Sequence, residues 1–240
     1  MRASAFVAMA IVLAASAAFA TPPAAGRAAP RVAHAPPPSA KRALATVSAA
    51  GVDVKAAWAT SLGAVEVKNR NTGARGKIRL YDEHGAIDRG QARAFMRIAG
   101  ASKEAPDDAS DDDERLDLRL VQLTLRAAYH FNAAISIVSG TRPGARGRHG
   151  TGEALDFALD GVKAPLLAAY LRGTPRAGVG IYTHPKTQYV HLDVRDHSFH
   201  WIDASPPGVT WREQLLPDPK QKARDGAWKA AMDLPEVALK

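Results

Sequence analysis

Residues 148–158 read RHGTGEALDFA and pass from a glycine-rich loop into a short apolar segment. The length and apolar character of residues 154–158 favour a buried β-strand. Within this segment Asp156 is flanked by Leu155 and Phe157. Burying a carboxylate there is costly unless the group is paired or bound to a metal ion. The stretch therefore predicts both a strand of a sheet and a carboxylate with a specific task.

Elements on both sides of this strand predict an α+β domain. Alternating apolar residues and intervening turn residues predict a hairpin and further strands, at 64–67, 77–80, 135–138, 154–158, 178–182 and 189–194. Helical periodicity and end signals predict helices at 88–98, 112–130 and 165–171, and another near 219–232. Asp88 with Gln91 three residues later would cap the first helix, and Ser110 would cap the second. The expected architecture is a small antiparallel sheet with packed helices.

The composition narrows the chemistry that the chain can carry out. Its 240 residues include no cysteine, which excludes disulfides, thiolate zinc sites, iron–sulfur clusters and cysteine nucleophiles. Any metal site must therefore use histidine and carboxylate ligands. The 32 Lys and Arg residues outnumber the 24 Asp and Glu residues, which gives a net charge of +8. Such a charge suggests an anionic partner, either nucleic acid, an acidic surface or an anionic polymer.

The N-terminal residues predict export. Arg2 precedes an apolar, alanine-rich run that ends in Ala18-Phe19-Ala20, the pattern of a signal-peptide cleavage site. The run is short for a membrane span, so no span is expected after cleavage. We predict a periplasmic or secreted protein, which makes a bacterial cell wall a better candidate for the anionic partner than nucleic acid. The predicted organisation is a signal peptide at 1–20, a Pro/Ala-rich linker at 21–60, a folded domain at 61–201 and a C-terminal extension at 202–240.

Three residues have the chemistry of a metal site. His149 lies in the glycine-flanked loop, and His191 lies between two apolar residues of a predicted strand. Together with Asp156 they offer two imidazoles and one carboxylate, a ligand set that suits a catalytic zinc site with an open fourth position. A single histidine is more often a surface or hydrogen-bonded residue, so this prediction depends on the grouping.

The spacing of these residues resembles a known family. Residues 149–156 resemble the motif S-x-H-x-x-G-x-A-x-D of the M15-type (LAS) zinc peptidases. Further segments resemble that family in the same order along the chain, namely SGTR at 139–142, GVGIY at 178–182, HLD at 191–193 and HW at 200–201. The likeness covers about residues 62–201 and is greatest to the DUF882 branch of murein endopeptidases, which are similar in fold to D-Ala-D-Ala carboxypeptidases.

The resemblance implies a Hedgehog/DD-peptidase-like zinc peptidase fold and an enzyme that hydrolyses peptide bonds of peptidoglycan. His149, Asp156 and His191 would bind Zn²⁺. Arg142 would face the substrate and hold a carboxylate or an oxyanion. Asp193 shares a strand face with His191, because residues i and i+2 of a strand point the same way. It would either accept a proton from water or orient a metal ligand.

Departures from the family pattern leave alternatives open. The positions ahead of the last ligand, where many members carry the general base, read Thr-Gln-Tyr at 187–189. His184 is a weaker candidate for the base. The leading serine of the motif is replaced by Gly147, and the loop before the first ligand is short. A cell-wall binding module that has lost catalysis is therefore the alternative to the peptidase. A basic nucleic-acid binder is a third interpretation, against which the predicted export argues.

Overall fold

The computed structural model describes residues 56–100, 116–141, 146–209 and 213–240. The strands are β1 Val65–Asn69, β2 Arg75–Ile78, β3 Ile135–Ser139, β4 Ala154–Leu159, β5 Ala177–Tyr182, β6 Tyr189–Val194, β7 Phe199–Asp203 and β8 Gln214–Leu215. The helices are α1 Ala57–Ser61, α2 Arg89–Ile98, α3 Leu118–Phe131, α4 Arg148–Thr151, α5 Ala164–Leu171 and α6 Gln221–Gly226. Two 3₁₀ turns follow at Ala230–Asp233 and Glu236–Leu239. The predicted signal peptide and most of the predicted linker lie outside the described residues.

All eight strands form one open mixed sheet, in the order β2-β1-β3-β4-β6-β5-β7-β8. Two neighbouring pairs, β1 with β3 and β5 with β7, are parallel, and the other pairs are antiparallel. The α+β class is therefore confirmed, whereas the prediction of a small antiparallel sheet is wrong in size and in strand direction. Parallel neighbours lack the short turn that marks a hairpin in sequence. Of the two missed strands, β8 has only two residues, and β7 is a five-residue strand that mixes apolar and polar residues.

The predicted hairpin is confirmed by β1 and β2. Val65 lies opposite Ile78 in an antiparallel pair, and Val65, Val67, Ile78 and Leu80 are all buried. The residues between the strands provide the turn, in which the Asn69 side chain accepts from the Asn71 backbone N–H at 2.9 Å. The alternation of exposed and buried residues along β1 thus places one face of the hairpin against the core.

The first residues of α2 and α3 can be compared with the helix starts that the sequence predicts. Asp88 caps α2 by accepting a hydrogen bond from the Gln91 backbone N–H at 3.0 Å. The Gln91 side chain, however, accepts from the Arg79 backbone N–H at 3.0 Å instead of returning to Asp88. Residues 116 and 117 are not helical, and Asp117 caps α3 by accepting from Arg119 at 2.8 Å. The predicted start of that helix at 112 is therefore wrong, and Ser110 lies outside the described residues.

The sheet has one face in the core and one face that carries polar groups. Alternate residues of β4, β5 and β6 belong to the core, namely Leu155, Phe157, Val179, Ile181, Val190 and Leu192. Helices α3 and α5 pack against these central strands. The residues between them, which include Asp156, His191 and Asp193, point to the opposite face, because strand side chains alternate. That opposite face is called the polar face below.

The chain after residue 201 is attached to the sheet and to α3. Strand β8 pairs with β7, and the helical part of the region predicted near 219–232 consists of α6 and a 3₁₀ turn. Buried Asp233 forms a two-point ion pair with Arg119 of α3, with 2.7 Å between Nε and Oδ2. Buried Asp225 accepts hydrogen bonds from the backbone N–H groups of Arg176 and Ser198, at 2.7 and 2.8 Å. These carboxylates fix the last residues beside the first residues of β5 and β7.

Candidate metal centre

Asp156 and His191 lie on neighbouring strands at directly opposed positions. Asp156 is in the middle of β4 and His191 is in the middle of β6, and the antiparallel register pairs them. Paired residues share a face of the sheet, so both side chains lie on the polar face. His149 reaches the same place from α4, which ends just before β4 begins. The sequence therefore supplies two groups from rigid strands and one from a short helix.

The three predicted ligands meet at one point. The distance from His191 Nδ1 to Asp156 Oδ1 is 2.9 Å, and that from His149 Nε2 to Asp156 Oδ1 is 3.4 Å. One ligand atom from each residue lies within 4.8 Å of the others. The side chains are largely buried, with exposed fractions of 4% for Asp156, 14% for His149 and 12% for His191. Within the described residues, this group could hold a metal ion.

The electrostatics of the group suit a cation. Burial alone would raise the pKa of Asp156, but the hydrogen bonds and charges of His149 and His191 outweigh it and lower that pKa to about 2. Burial likewise opposes the charged form of His191, yet Asp156 and Asp193 raise its pKa to about 9. Asp156 and Asp193 are thus ionised, and in the absence of a cation they favour a proton on the His191 ring between them. A divalent cation can provide the compensating charge while both imidazoles bind it in their neutral form.

Outer hydrogen bonds orient both imidazoles toward Asp156. His149 Nδ1 lies 2.9 Å from the Gly140 carbonyl oxygen, which can only accept, so the ring donates there and Nε2 keeps its lone pair. His191 Nε2 lies 3.1 Å from Asp193 Oδ2, on the side of the ring away from Asp156. Outer partners of this kind fix the ring orientation and the tautomer of metal-binding histidines. The arrangement directs Nε2 of His149 and Nδ1 of His191 toward Asp156, where they are the candidate ligand atoms.

Asp193 is fully buried and engaged on several sides. Its carboxylate forms a two-point ion pair with Arg195, and Arg148 Nε lies 3.4 Å from Oδ1. Burial acts to raise the pKa of Asp193, but His191 and Arg195 hold it below its usual value. A Cβ atom at Gly178 would lie 2.1 Å from Asp193 Oδ2, so only glycine leaves room for this carboxylate. Of the two roles expected for Asp193, this geometry favours the orientation of His191.

The remaining predicted residues lie elsewhere. Arg142 is outside the described residues. His184 is in the turn between β5 and β6, where its Nδ1 accepts from the Lys186 backbone N–H at 3.2 Å. Glu153 is directed to Arg148, with 2.9 Å between the charged groups, and is not part of the candidate metal centre.

Two aromatic residues complete the surroundings and were not assigned to the site from sequence. Trp201 of β7 lies across Gly180, where a Cβ atom would come within 2.1 Å of the indole. The centroid of that indole is 5.7 Å from the His191 ring and 5.2 Å from the Tyr182 ring. Glycines at alternate positions of β5, opposite His191 and Asp193, are the signal in the sequence that could have indicated large side chains lying over that strand.

Comparison with protein-family models, with proteins of established function and with solved structures finds no match for this chain. No helix in the described part of the chain is long and apolar enough to cross a membrane. The strongest indication of function in the described residues is the candidate metal centre formed by His149, Asp156 and His191.

Proposed function

We propose that this protein is an exported, zinc-dependent peptidase that hydrolyses peptide bonds of peptidoglycan, either cross-links or stem peptides. The observation that carries the proposal is the convergence of His149, Asp156 and His191 on the polar face, each imidazole oriented by an outer hydrogen bond. The resemblance of the sequence to M15-type peptidases supports the same conclusion, and with it a Hedgehog/DD-peptidase-like arrangement of the sheet. The predicted signal peptide and the net charge of +8 are consistent with an anionic cell-wall substrate.

The ligand set fits zinc. Two nitrogen donors and one oxygen donor, with a fourth position open, are typical of catalytic zinc sites, whereas structural zinc sites use four protein ligands. Zinc supplies Lewis acidity, which polarises a carbonyl group and lowers the pKa of water. Asp156 contributes the negative charge, and the two histidines contribute neutral nitrogens.

Three further residues of the protein would contribute to hydrolysis. Asp193 holds the His191 ring by accepting from Nε2 at 3.1 Å, so that Nδ1 stays directed at Asp156. Gly140 does the same for His149 through its carbonyl oxygen. Arg142, as the resemblance implies, would bind a carboxylate of the substrate or an oxyanion. A water molecule adds to the peptide carbonyl carbon, and the C–N bond then breaks as the amine nitrogen gains a proton.

A second candidate function is a cell-wall binding module without turnover. It is favoured by the absence of an acidic or histidine side chain at positions 187–189 and by the engagement of Asp193 with His191 and Arg195. A carboxylate held in this way is a weak proton acceptor. The two candidates predict the same binding to cell walls and differ only in whether muropeptides are released.

The decisive experiment combines metal analysis with muropeptide digestion. Purified wild-type protein should hold about one zinc ion per chain and release zinc-dependent products from peptidoglycan, which mass spectrometry would identify. His149→Ala should lose both properties, because one of only three ligands is removed. His84→Ala is the matched control, since that histidine lies in an exposed turn and has no predicted role in the site. Wild-type protein without stoichiometric metal would refute the proposal, and binding to walls with zinc but without products would favour the binding module.

A further inference from the structure

Tyr182 lies on the polar face of β5, close to His191 of the candidate metal centre. Gly178, Gly180 and Tyr182 occupy alternate positions of this strand and therefore share one face. Gly180 is paired with His191, which makes Tyr182 the diagonal neighbour of that histidine. Diagonal neighbours in an antiparallel pair are roughly 7–8 Å apart, within reach of an aromatic side chain. On the polar face of β5, Tyr182 is thus the only residue that is not glycine.

The ring of Tyr182 is held on two sides. Trp201 meets it edge-on, with ring centroids 5.2 Å apart and planes at 89°. Tyr189, its partner across the strand pair, packs against it with centroids 4.3 Å apart. A ring fixed between two aromatic neighbours keeps its hydroxyl in one place, which is what a preorganised hydrogen-bond donor requires.

The Tyr182 hydroxyl can donate a hydrogen bond, as any tyrosine hydroxyl can. Burial raises the pKa of this hydroxyl, and the nearby carboxylate of Asp156 raises it further. The influence of Asp156 on Tyr182 is consistent with the diagonal placement of the two residues around His191. Within the described parts of the chain, no residue forms a hydrogen bond with this hydroxyl. A neutral phenol next to the reaction site can donate to an oxygen that becomes negative.

We propose that the Tyr182 hydroxyl donates a hydrogen bond to the oxygen of the scissile carbonyl as that oxygen takes up negative charge. Tyr182 is then a catalytic residue that acts from β5, in addition to the arginine expected from sequence. Its donor is most effective in the transition state, because the oxygen carries more charge there than in the bound substrate. This inference rests on the proposed function, since it needs a carbonyl placed at the metal centre.

The test compares zinc-loaded wild-type protein with Tyr182→Phe, which keeps the ring and removes only the hydroxyl. Tyr182→Phe should retain full zinc content and an unchanged KM for muropeptides, while kcat falls roughly 100-fold. Tyr189→Phe is the matched control, because it removes the hydroxyl of the neighbouring ring, which packs against Tyr182 at 37°. It should leave kcat within a factor of two.

A second measurement does not depend on the substrate. Inorganic phosphate is a tetrahedral oxyanion, and calorimetric titration should show that zinc-loaded Tyr182→Phe binds it about tenfold or more weakly than the wild type. This weakening in a protein that cleaves no muropeptide would support the role of Tyr182 while refuting the proposed substrate. Equal kcat and equal phosphate affinity in the two proteins would overturn the role of Tyr182 and leave the peptidase intact. Loss of zinc from Tyr182→Phe, or no phosphate binding by the wild type, would also overturn it.

Discussion

His200 makes the stability of this protein depend on pH in a way that can be calculated. The residue lies in β7 with its side chain fully buried, and neither ring nitrogen has a hydrogen-bond partner among the described residues. Burial lowers the pKa of His200 to about 4, with Arg172 and Arg224 acting in the same direction. Asp218 and Asp225 oppose this shift, but the nearest carboxylate oxygen is 3.8 Å from Nδ1. His200 is therefore neutral in the folded protein at pH 5 and above.

The sign of the effect follows from the two states of the chain. A histidine in the unfolded chain has a pKa of about 6.5, so at pH 5 the unfolded state binds a proton that the folded state does not. The stability contributed by a neutral His200 is fully present above pH 6.5 and is lost as the pH falls toward 4. With these two pKa values, the free energy of unfolding falls by about 2 kcal/mol between pH 8 and pH 5 through this residue alone.

Urea denaturation of wild type and His200→Phe at pH 8, 6.5 and 5 measures this contribution. Phenylalanine fills a similar volume and cannot be protonated, so its free energy of unfolding should fall by about 2 kcal/mol less than that of the wild type over this range. The other titrating groups are the same in both proteins and cancel in the comparison. His184→Gln, in an exposed turn, should follow the wild type. Parallel pH dependences for wild type and His200→Phe would refute the reasoning.

Two further substitutions probe the surroundings of the metal centre. Gly180→Ala places a Cβ atom 2.1 Å from the Trp201 indole, which should lower the free energy of unfolding by about 1–3 kcal/mol in thermal or urea denaturation. The control is Gly63→Ala, which should change stability far less, because no atom lies within 4 Å of its Cβ. Equal effects of the two substitutions would contradict the packing described for Trp201. Asp193→Asn removes the charged acceptor for His191 Nε2 and should weaken zinc binding about 10–100-fold in competition with a chelator, while an unchanged zinc affinity would show that His191 needs no such support.

Local patterns in the sequence were sufficient for much of the fold. The six predicted strands overlap β1–β6, because most of them are compact runs of apolar or alternating residues, although β2 begins and ends two residues before the predicted segment 77–80. Strand β7 was missed because its sequence, FHWID, has only two apolar residues on one face, Phe199 and Trp201. Strand β8 was missed because it consists of only two residues, both of them exposed. The parallel pairing of β5 with β7 depends on contacts between distant segments, which no local pattern encodes.

The candidate metal ligands could be predicted because their surroundings in the sequence were unusual. Asp156 and His191 are polar residues within apolar strands, and the structure brings both of them together with His149. The role of Asp193 could not be decided from sequence, because its ion pair with Arg195 becomes visible only once β6 is built. Tyr182 and Trp201 were missed as neighbours of the centre for a similar reason, since a tyrosine or tryptophan in a strand is usual in any core.

The two buried carboxylates, Asp225 and Asp233, determine how much of the chain must be synthesised before the fold can be completed. Synthesis proceeds from the N-terminus, so β5 and β7 are complete before Asp225 and Asp233 exist. Until then the first residues of both strands lack the acceptor that Asp225 provides, and Arg119 lacks its partner. An arginine buried without a counter-charge is strongly unfavourable. Completion of the fold around the candidate metal centre is therefore coupled to synthesis of residues 225–233, and a chain that is terminated before them would be a target for proteolysis.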